Sequence, residues 1–321
     1  MHLVIGAGEF LGRHVSRAMA TEVPVIELNS DADDETLADA ITGVEVVVSC
    51  AETVSPAHRL RYRKGPQHLL ARLVEAARSR RVRRLVHVST ADVFGSDQSA
   101  RVTERSPNKP KHAYERLKLS EEQWLIDHAG ELEVVILRPA RVFGEGEGWI
   151  LPRLMSAMVH GRVWLPGGGA AKQTFVHAED VGRACLAASD RGRPGHRYLV
   201  GGFDSSWRDF LMSAARSVGF AAEVGSIPYD LAFLRALGVE TMTAEGAAVW
   251  PGVFAVDVIG KPHTYDDSNS RRELTWSPSV GSLEQEMPAM SPWLSRLPDV
   301  AEAIAHAQAP SVAGATSPPG R

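Results

Sequence analysis

This sequence predicts an open α/β fold, a doubly wound parallel sheet with a smaller C-terminal domain. Three observations carry the prediction. Short runs rich in Val, Ile and Leu alternate with helical patterns through the first half, the order that parallel sheets with crossover helices require. Those runs are continuously apolar rather than alternating, which implies burial on both faces. The first run ends in glycines and opens straight into a helical pattern.

The elements follow in order. Strands are expected at Leu3–Ile5, Val23–Leu28, Val44–Ser49, Arg84–Ser89 and Glu133–Arg138. Helices are expected around Gly12–Ala20, Asp34–Ile41, His68–Arg81 and Ala113–Ala129. Gly130 can cap the last of these, and Pro139 ends the strand that follows it. From Gly144 the chain turns to loops rich in Gly and Pro around a helical pattern at Leu151–His160. Gln173–His177 reads as a strand and Glu179–Ala188 as a helix; after about residue 204 short elements mix with turn formers. The stretch 301–321 is expected to be a disordered tail, since Ala307–Arg321 is mainly Ala, Ser, Gly and Pro.

Composition narrows the function. At 44% apolar and 23% charged the 321 residues have an ordinary globular make-up. A net charge of −4 leaves no footprint for nucleic acid or an anionic membrane. Two cysteines, Cys50 and Cys185, speak against a disulfide scaffold and suit a reducing compartment. No apolar run approaches the roughly 20 residues that span a bilayer. The N-terminus runs directly into a strand with no secretory-leader pattern. A cytoplasmic protein with a small-molecule substrate and no nucleic-acid or membrane partner is expected. No H-E-x-x-H or paired-Cys spacing suggests a metal, and no G-x-S-x-G suggests a hydrolase.

Gly6-Ala7-Gly8-Glu9-Phe10-Leu11-Gly12, spaced G-x-G-x-x-x-G, stands one residue longer than the G-x-G-x-x-G fingerprint and, like it, lies between a strand and a helix. There glycine permits the tight turn and close backbone approach, while the helix N-terminus offers N–H groups and a positive dipole end to a pyrophosphate. This makes a Rossmann-type dinucleotide-binding unit of residues 1–143, completed by 174–203, with a substrate domain from 144–173 and 204–300. At the end of the second strand, Asn29 and Ser30 could hydrogen-bond a ribose, or simply begin a turn. No Arg or Lys lies there for a 2′-phosphate, so NAD and NADP stay open.

In "AYERLK", Tyr114 and Lys118 stand four apart, on one face of a helix. An ammonium beside a phenol stabilises phenolate and suits it to move a proton near neutral pH. Alone, the spacing is as easily a solvated helix face. Ser89 and Thr90, however, close the fourth strand at the sheet end where such folds bind ligands.

The segments "GAGEFLG", "VSTADVFG", "YERLK" and "LRPARVFGEG", in this order and spacing, resemble the extended short-chain dehydrogenase/reductase family of NAD(P)-dependent epimerase/dehydratase type. "FVHAEDVGRACLAA", "YLVGG" and "DDSNSRRELTWSP" extend the resemblance to about residue 295. It implies Tyr114 as acid–base residue, Lys118 as its charge partner and ribose contact, and Thr90 as the hydroxyl on the substrate oxygen, with Ser89 secondary. It implies Gly6, Gly8, Glu9, Phe10, Leu11, Gly12, Asn29, Ser30, Ala51 and Lys118 around NAD or NADP, and hydride exchange with a carbonyl or alcohol carbon. A homodimer through the Tyr114 helix is implied by analogy.

The chain also departs from that family. One strand–helix unit is trimmed before "VVVSCAE", Glu52 stands where a small neutral residue is usual, and Pro66 replaces an Asn. Gln173 stands where nucleotide-sugar members hold an arginine on the diphosphate, and Arg141 where they carry Asn. "LRPARVFGEG" is nearer the sterol-dehydrogenase branch, so the expectation is an oxidoreductase for a fairly apolar carbonyl or alcohol. A nucleotide-sugar epimerase, dehydratase or ketoreductase is the first alternative, and a non-catalytic cofactor-binding scaffold the second. Arg141 either meets an anionic group of the substrate or lies on the surface. His112 is expected in an exposed loop. Ten Arg or Lys between Arg59 and Arg84 read as a solvated helix face. The six tryptophans after the Tyr114 helix read first as core, with a pocket lining as the other option.

Overall fold

The structure is a computed structural model describing residues 1–51, 56, 68–96, 101–221 and 223–308. Glu52 and Pro66, and much of the basic segment before His68, lie outside the described residues.

The first half alternates strand and helix as expected. β1 (His2–Ile5), α1 (Phe10–Ala20), β2 (Val25–Leu28), α2 (Asp34–Ala40) and β3 (Val46–Ser49) are followed by α3 (His68–Ser79), β4 (Arg84–Val88), α4 (Ala113–His128) and β5 (Glu133–Pro139). Consecutive strand residues feed two different cores. Val4, Val46, Val48, Val86, Val88, Val135 and Leu137 pack with Val15 and Met19 of α1. Leu3, Ile5, Val47, Leu85, Val134 and Ile136 pack with Leu37 of α2, Leu73 of α3 and Leu125 of α4. That is why the strands read as unbroken apolar runs: each side chain, up or down, meets a helix layer.

Chain order continues through β6 (Arg141–Phe143), α5 (Leu151–Val159), β7 (Arg162–Pro166), β8 (Lys172–His177), α6 (Ala178–Arg191) and β9 (Arg197–Val200). The parallel sheet has the order β2-β1-β3-β4-β5-β9. It reverses between β1 and β3, the switch point at which such sheets bind ligands. β2 is an edge strand with nothing described outside it, consistent with the missing strand–helix unit. Among the described residues no helix is long and apolar enough to cross a membrane.

The remaining elements are β10 (Phe203–Ser206), α7 (Trp207–Ser217), β11 (Glu223–Ile227), α8 (Tyr229–Met242), α9 (Val253–Gly260), α10 (Ser268–Leu274), α11 (Leu283–Leu294) and α12 (Pro298–Gln308). Beyond the two cores of the parallel sheet, a core of the second domain (the second core below) joins Phe143, Leu154, Phe175, Phe210, Met287 and Leu294. Two expectations need correction here. The boundaries at 143 and 174 cut through a side sheet of order β10-β8-β6. β6 and β8 leave the parallel sheet because Phe143 and Phe175, with rings 6.2 Å apart, are buried in the second core. The tail expected from 301 is helical as far as Gln308, because Val300 is buried and Ile304 packs on the same core; residues 309–321 lie outside the described residues.

Candidate active site

The glycine loop sits at the switch point. Gly6 takes a φ of +86°, and a Cβ there would come within 2.9 Å of the Ala51 backbone at the end of β3. A Cβ on Gly12 would lie 1.9 Å from the Gly6 carbonyl oxygen, so α1 touches the strand turn through bare backbone. The Gly6 and Ala7 N–H groups both donate to Leu28 O, tying the loop to the end of β2. Glu9 is the N-cap of α1, yet no side chain caps that helix. Its first N–H groups therefore stay available to a phosphate, with Phe10 and Leu11 lining the cleft above them. This cradle, which a side chain at Gly6 or Gly12 would fill, fits a dinucleotide pyrophosphate.

A cleft of about 310 Å³ joins that loop to Thr90 and Tyr114; Phe10, Leu11, Trp149 and Trp207 line it with them. Tyr114 stands in the first turn of α4, its ring 5.6 Å from that of Phe254. Phe254 in turn stacks on Trp149 at 5.3 Å and 14°. Lys118, one turn further along α4, is buried, with its ammonium 3.3 Å from the Glu121 carboxylate. Burial, and then the Lys118 charge, hold His87 down at about 3, so that β4 histidine is neutral.

The two hydroxyls after β4 part company. Ser89 donates to Glu122 at 2.6 Å. Glu122 is fully buried and accepts a fork from Arg138 at 2.6 and 2.9 Å, plus Arg197 at 3.1 Å. Both residues line the cleft, but the Ser89 hydroxyl is tied to the buried Glu122. The Thr90 Oγ1 accepts from the Asp92 N–H and donates to the Asp92 carboxylate, both at 3.1 Å. Burial, the largest single effect, pushes the Asp92 carboxyl up, but Arg141 at 2.9 Å, His263 and the Thr90 hydroxyl together hold it below the usual range.

The structure therefore brings Thr90, Tyr114, Phe10 and Leu11 to one cleft, with Gly6, Gly12 and Ala51 packed beneath the loop. Asn29 and Ser30 lie at the neighbouring strand end, where Ser30 donates to Glu9. Arg141 is no free surface arginine: it lines the cleft, and its guanidinium pairs with the buried Asp92 carboxylate. His112 is no exposed loop residue. It caps the N-terminus of α4, is only 13% exposed, and bonds Asp257 at 3.0 Å. Of the tryptophans, Trp149 and Trp207 line the cleft, Trp276 is core and Trp164 is exposed. Sequence reasoning missed Asp92, Glu121 and Glu122. Glu121 and Glu122 had a signal, standing three and four residues after Lys118 on its helix face.

A sequence model described as the NAD dependent epimerase/dehydratase family matches residues 2–201. Over 261 residues the chain is 31% identical to a Stigmatella aurantiaca ketoreductase of 4-hydroxy-2-methyl-3-oxo-4-farnesyl-3,4-dihydroquinoline-1-oxide, covering 77% of this chain and 76% of that one. It is 31% identical over 134 residues to a Homo sapiens dTDP-D-glucose 4,6-dehydratase, 40% of this chain and only 38% of that relative. A solved UDP-glucuronic acid 4-epimerase from Bacillus cereus, in complex with UDP-glucuronic acid and NAD, superposes with TM-score 0.73 at 20% identity over 92% of this chain and 99% of that one.

Proposed function

The chain belongs to the NAD dependent epimerase/dehydratase family, and from that premise we propose that it interconverts a ketone and an alcohol on a fairly apolar small molecule. The observation that carries this reading is the single cleft that runs from the glycine loop to Thr90 and Tyr114 under an aromatic wall of Trp149, Phe254 and Trp207. The nicotinamide supplies or takes the hydride. Tyr114 gives its phenolic proton to the carbonyl oxygen as that oxygen gains charge, and takes it back in the reverse direction. Lys118 sets the charge around the phenol, and the Glu121 carboxylate 3.3 Å away tempers it. The Thr90 hydroxyl, oriented by the Asp92 N–H, swings its proton from the Asp92 carboxylate to the substrate oxygen.

The ketoreductase relative acts on a farnesylated ring ketone, which supports an apolar carbonyl substrate. The nucleotide-sugar alternative has weaker support. Gln173, at the place where such members hold an arginine, is fully buried and donates to the Lys261 carbonyl at 2.7 Å. A homodimer belongs to the same reading: pairing through α4 would cover the groove between α3 and α4, where Trp124 stacks on His128. A cytoplasmic site of action fits the two buried free thiols.

The test is a panel of prenylated and aromatic ketones against nucleotide sugars, followed by nicotinamide absorbance. Turnover of apolar ketones, lost by about 10²–10⁴-fold in Tyr114→Phe while cofactor binding persists, is the expected result. Turnover confined to nucleotide sugars, or undiminished in Tyr114→Phe, would overturn the reading.

A further inference from the structure

We infer that His112 is a positioning residue for Tyr114: held by Asp257 of α9, it sets the acid–base phenol against the helix that carries Phe254 of the aromatic wall. The inference rests on the ketone–alcohol reading above and adds what fixes the proton donor in place.

Asp257 is an anchor inside the protein. It is 2% exposed, and its carboxylate accepts hydrogen bonds from the side chains of four residues. The Ser96 hydroxyl donates at 3.0 Å from the loop that follows Thr90 and Asp92. His112 Nε2 donates at 3.0 Å from the start of α4, since a carboxylate can only accept. Tyr229 donates from the first residue of α8, and the Lys261 ammonium at 3.3 Å from the end of α9. Moving such a carboxylate would break bonds to several elements together. Val258 and Ile259 seat α9 itself in the second core.

The same helix touches Tyr114 directly. Phe254, one turn before Asp257, has its ring 5.2 Å from that of His112 and 5.6 Å from that of Tyr114. Packing alone leaves play there, because a chamber of about 50 Å³ remains beside His112, Tyr114, Trp149 and Phe254. Within α4, the Glu115 carboxylate accepts the His112 backbone N–H at 3.0 Å. That bond sets where the helix begins. The bond from His112 to Asp257 sets where the helix lies against α9. Tyr114 stands two residues further along, so a shift of the helix start carries the phenol with it. A displacement of about 1 Å at a reacting group can cost about 10²-fold in rate.

The test measures kcat, KM and NADH affinity of the full chain, on a ketone that the wild type reduces, for His112→Asn and His112→Gln. Asparagine is a good N-cap but too short to reach Asp257. Glutamine keeps an amide N–H near the place of Nε2. His112→Asn should lose at least about tenfold in kcat while KM and NADH affinity stay within about threefold, and His112→Gln should recover most of the loss. Wild-type kcat in His112→Asn, equal losses in both variants, or a loss of NADH affinity that matches the loss of kcat overturns the inference. If circular dichroism shows that His112→Asn does not fold, His112→Ser, a shorter N-cap, is judged by the same criteria. A wild type that reduces no ketone brings down the functional reading and this inference with it. A working wild type with an unimpaired His112→Asn brings down this inference alone.

Discussion

Replacing Glu122 with Gln should strip the scaffold behind Ser89 of its central charge. Glu122 and Arg138 have side chains 0% and 3% exposed, so neither reaches water when its partner is lost. The carboxylate accepts four hydrogen bonds, two from Arg138, one from Arg197 and one from Ser89. An amide has one acceptor oxygen and points an NH2 group at the guanidinium. Arg138 keeps its bond to Asn108 at 3.0 Å, and Arg197, 30% exposed, can turn to solvent. The dominant loss is therefore one buried, uncompensated guanidinium, about 3–5 kcal/mol. At about 2 cal/mol/K of unfolding entropy per residue, a loss of about 4 kcal/mol lowers Tm by roughly 6 °C in a chain of this length. Thermal unfolding followed by circular dichroism measures it. The double variant Glu122→Leu, Arg138→Met, which removes both charges, should recover most of the loss. A Glu122→Gln protein within about 1 kcal/mol of wild type would refute the reasoning, because Arg138 would then have found another counter-charge or a route to water.

Two further perturbations test the site's frame. Gly12→Ala puts a methyl 1.9 Å from the Gly6 carbonyl oxygen, so α1 must move off the strand turn; a loss of about 1–3 kcal/mol in urea unfolding and weakened NADH binding are expected. Burial and the neighbouring Glu179 and Asp180 push the Glu286 carboxyl up to about 7 from its ordinary 4.5. The folded chain then retains a proton that the unfolded chain releases, so stability falls as pH rises through that window. His177 faces Glu286 at 3.3 Å, and burial holds that histidine below its ordinary value. Glu115, pushed to about 7 by burial, adds a slope of the same sign. Melting curves from pH 4.5 to 7 should show a shallower decline in Glu286→Gln than in the wild type.

Much of the parallel sheet was legible because its cause is local. Runs such as Val46-Val47-Val48 are apolar at every position, and glycines at 6 and 12 stand where backbone meets backbone. That Tyr114 and Lys118 share one helix was readable from a spacing of four. The side sheet was not, since β6, β8 and β10 are short and their pairing is decided by which core takes Phe143 and Phe175. His112 was misplaced for the same reason, as its partner Asp257 is 145 residues away. Arg141 looked like a surface or substrate group and Asp92 drew no reading, because their pairing joins residues 49 apart.

The division of each strand between two cores has a consequence for how this gene can drift. Any of Val46, Val47 or Val48 can be exchanged for another branched aliphatic residue with little harm, because each position asks only for bulk. Deleting one of the three is another matter: every later side chain in the strand would face the opposite way, and Ala51 would no longer arrive under Gly6. Homologues should therefore vary freely in the spelling of this segment and hardly at all in its length.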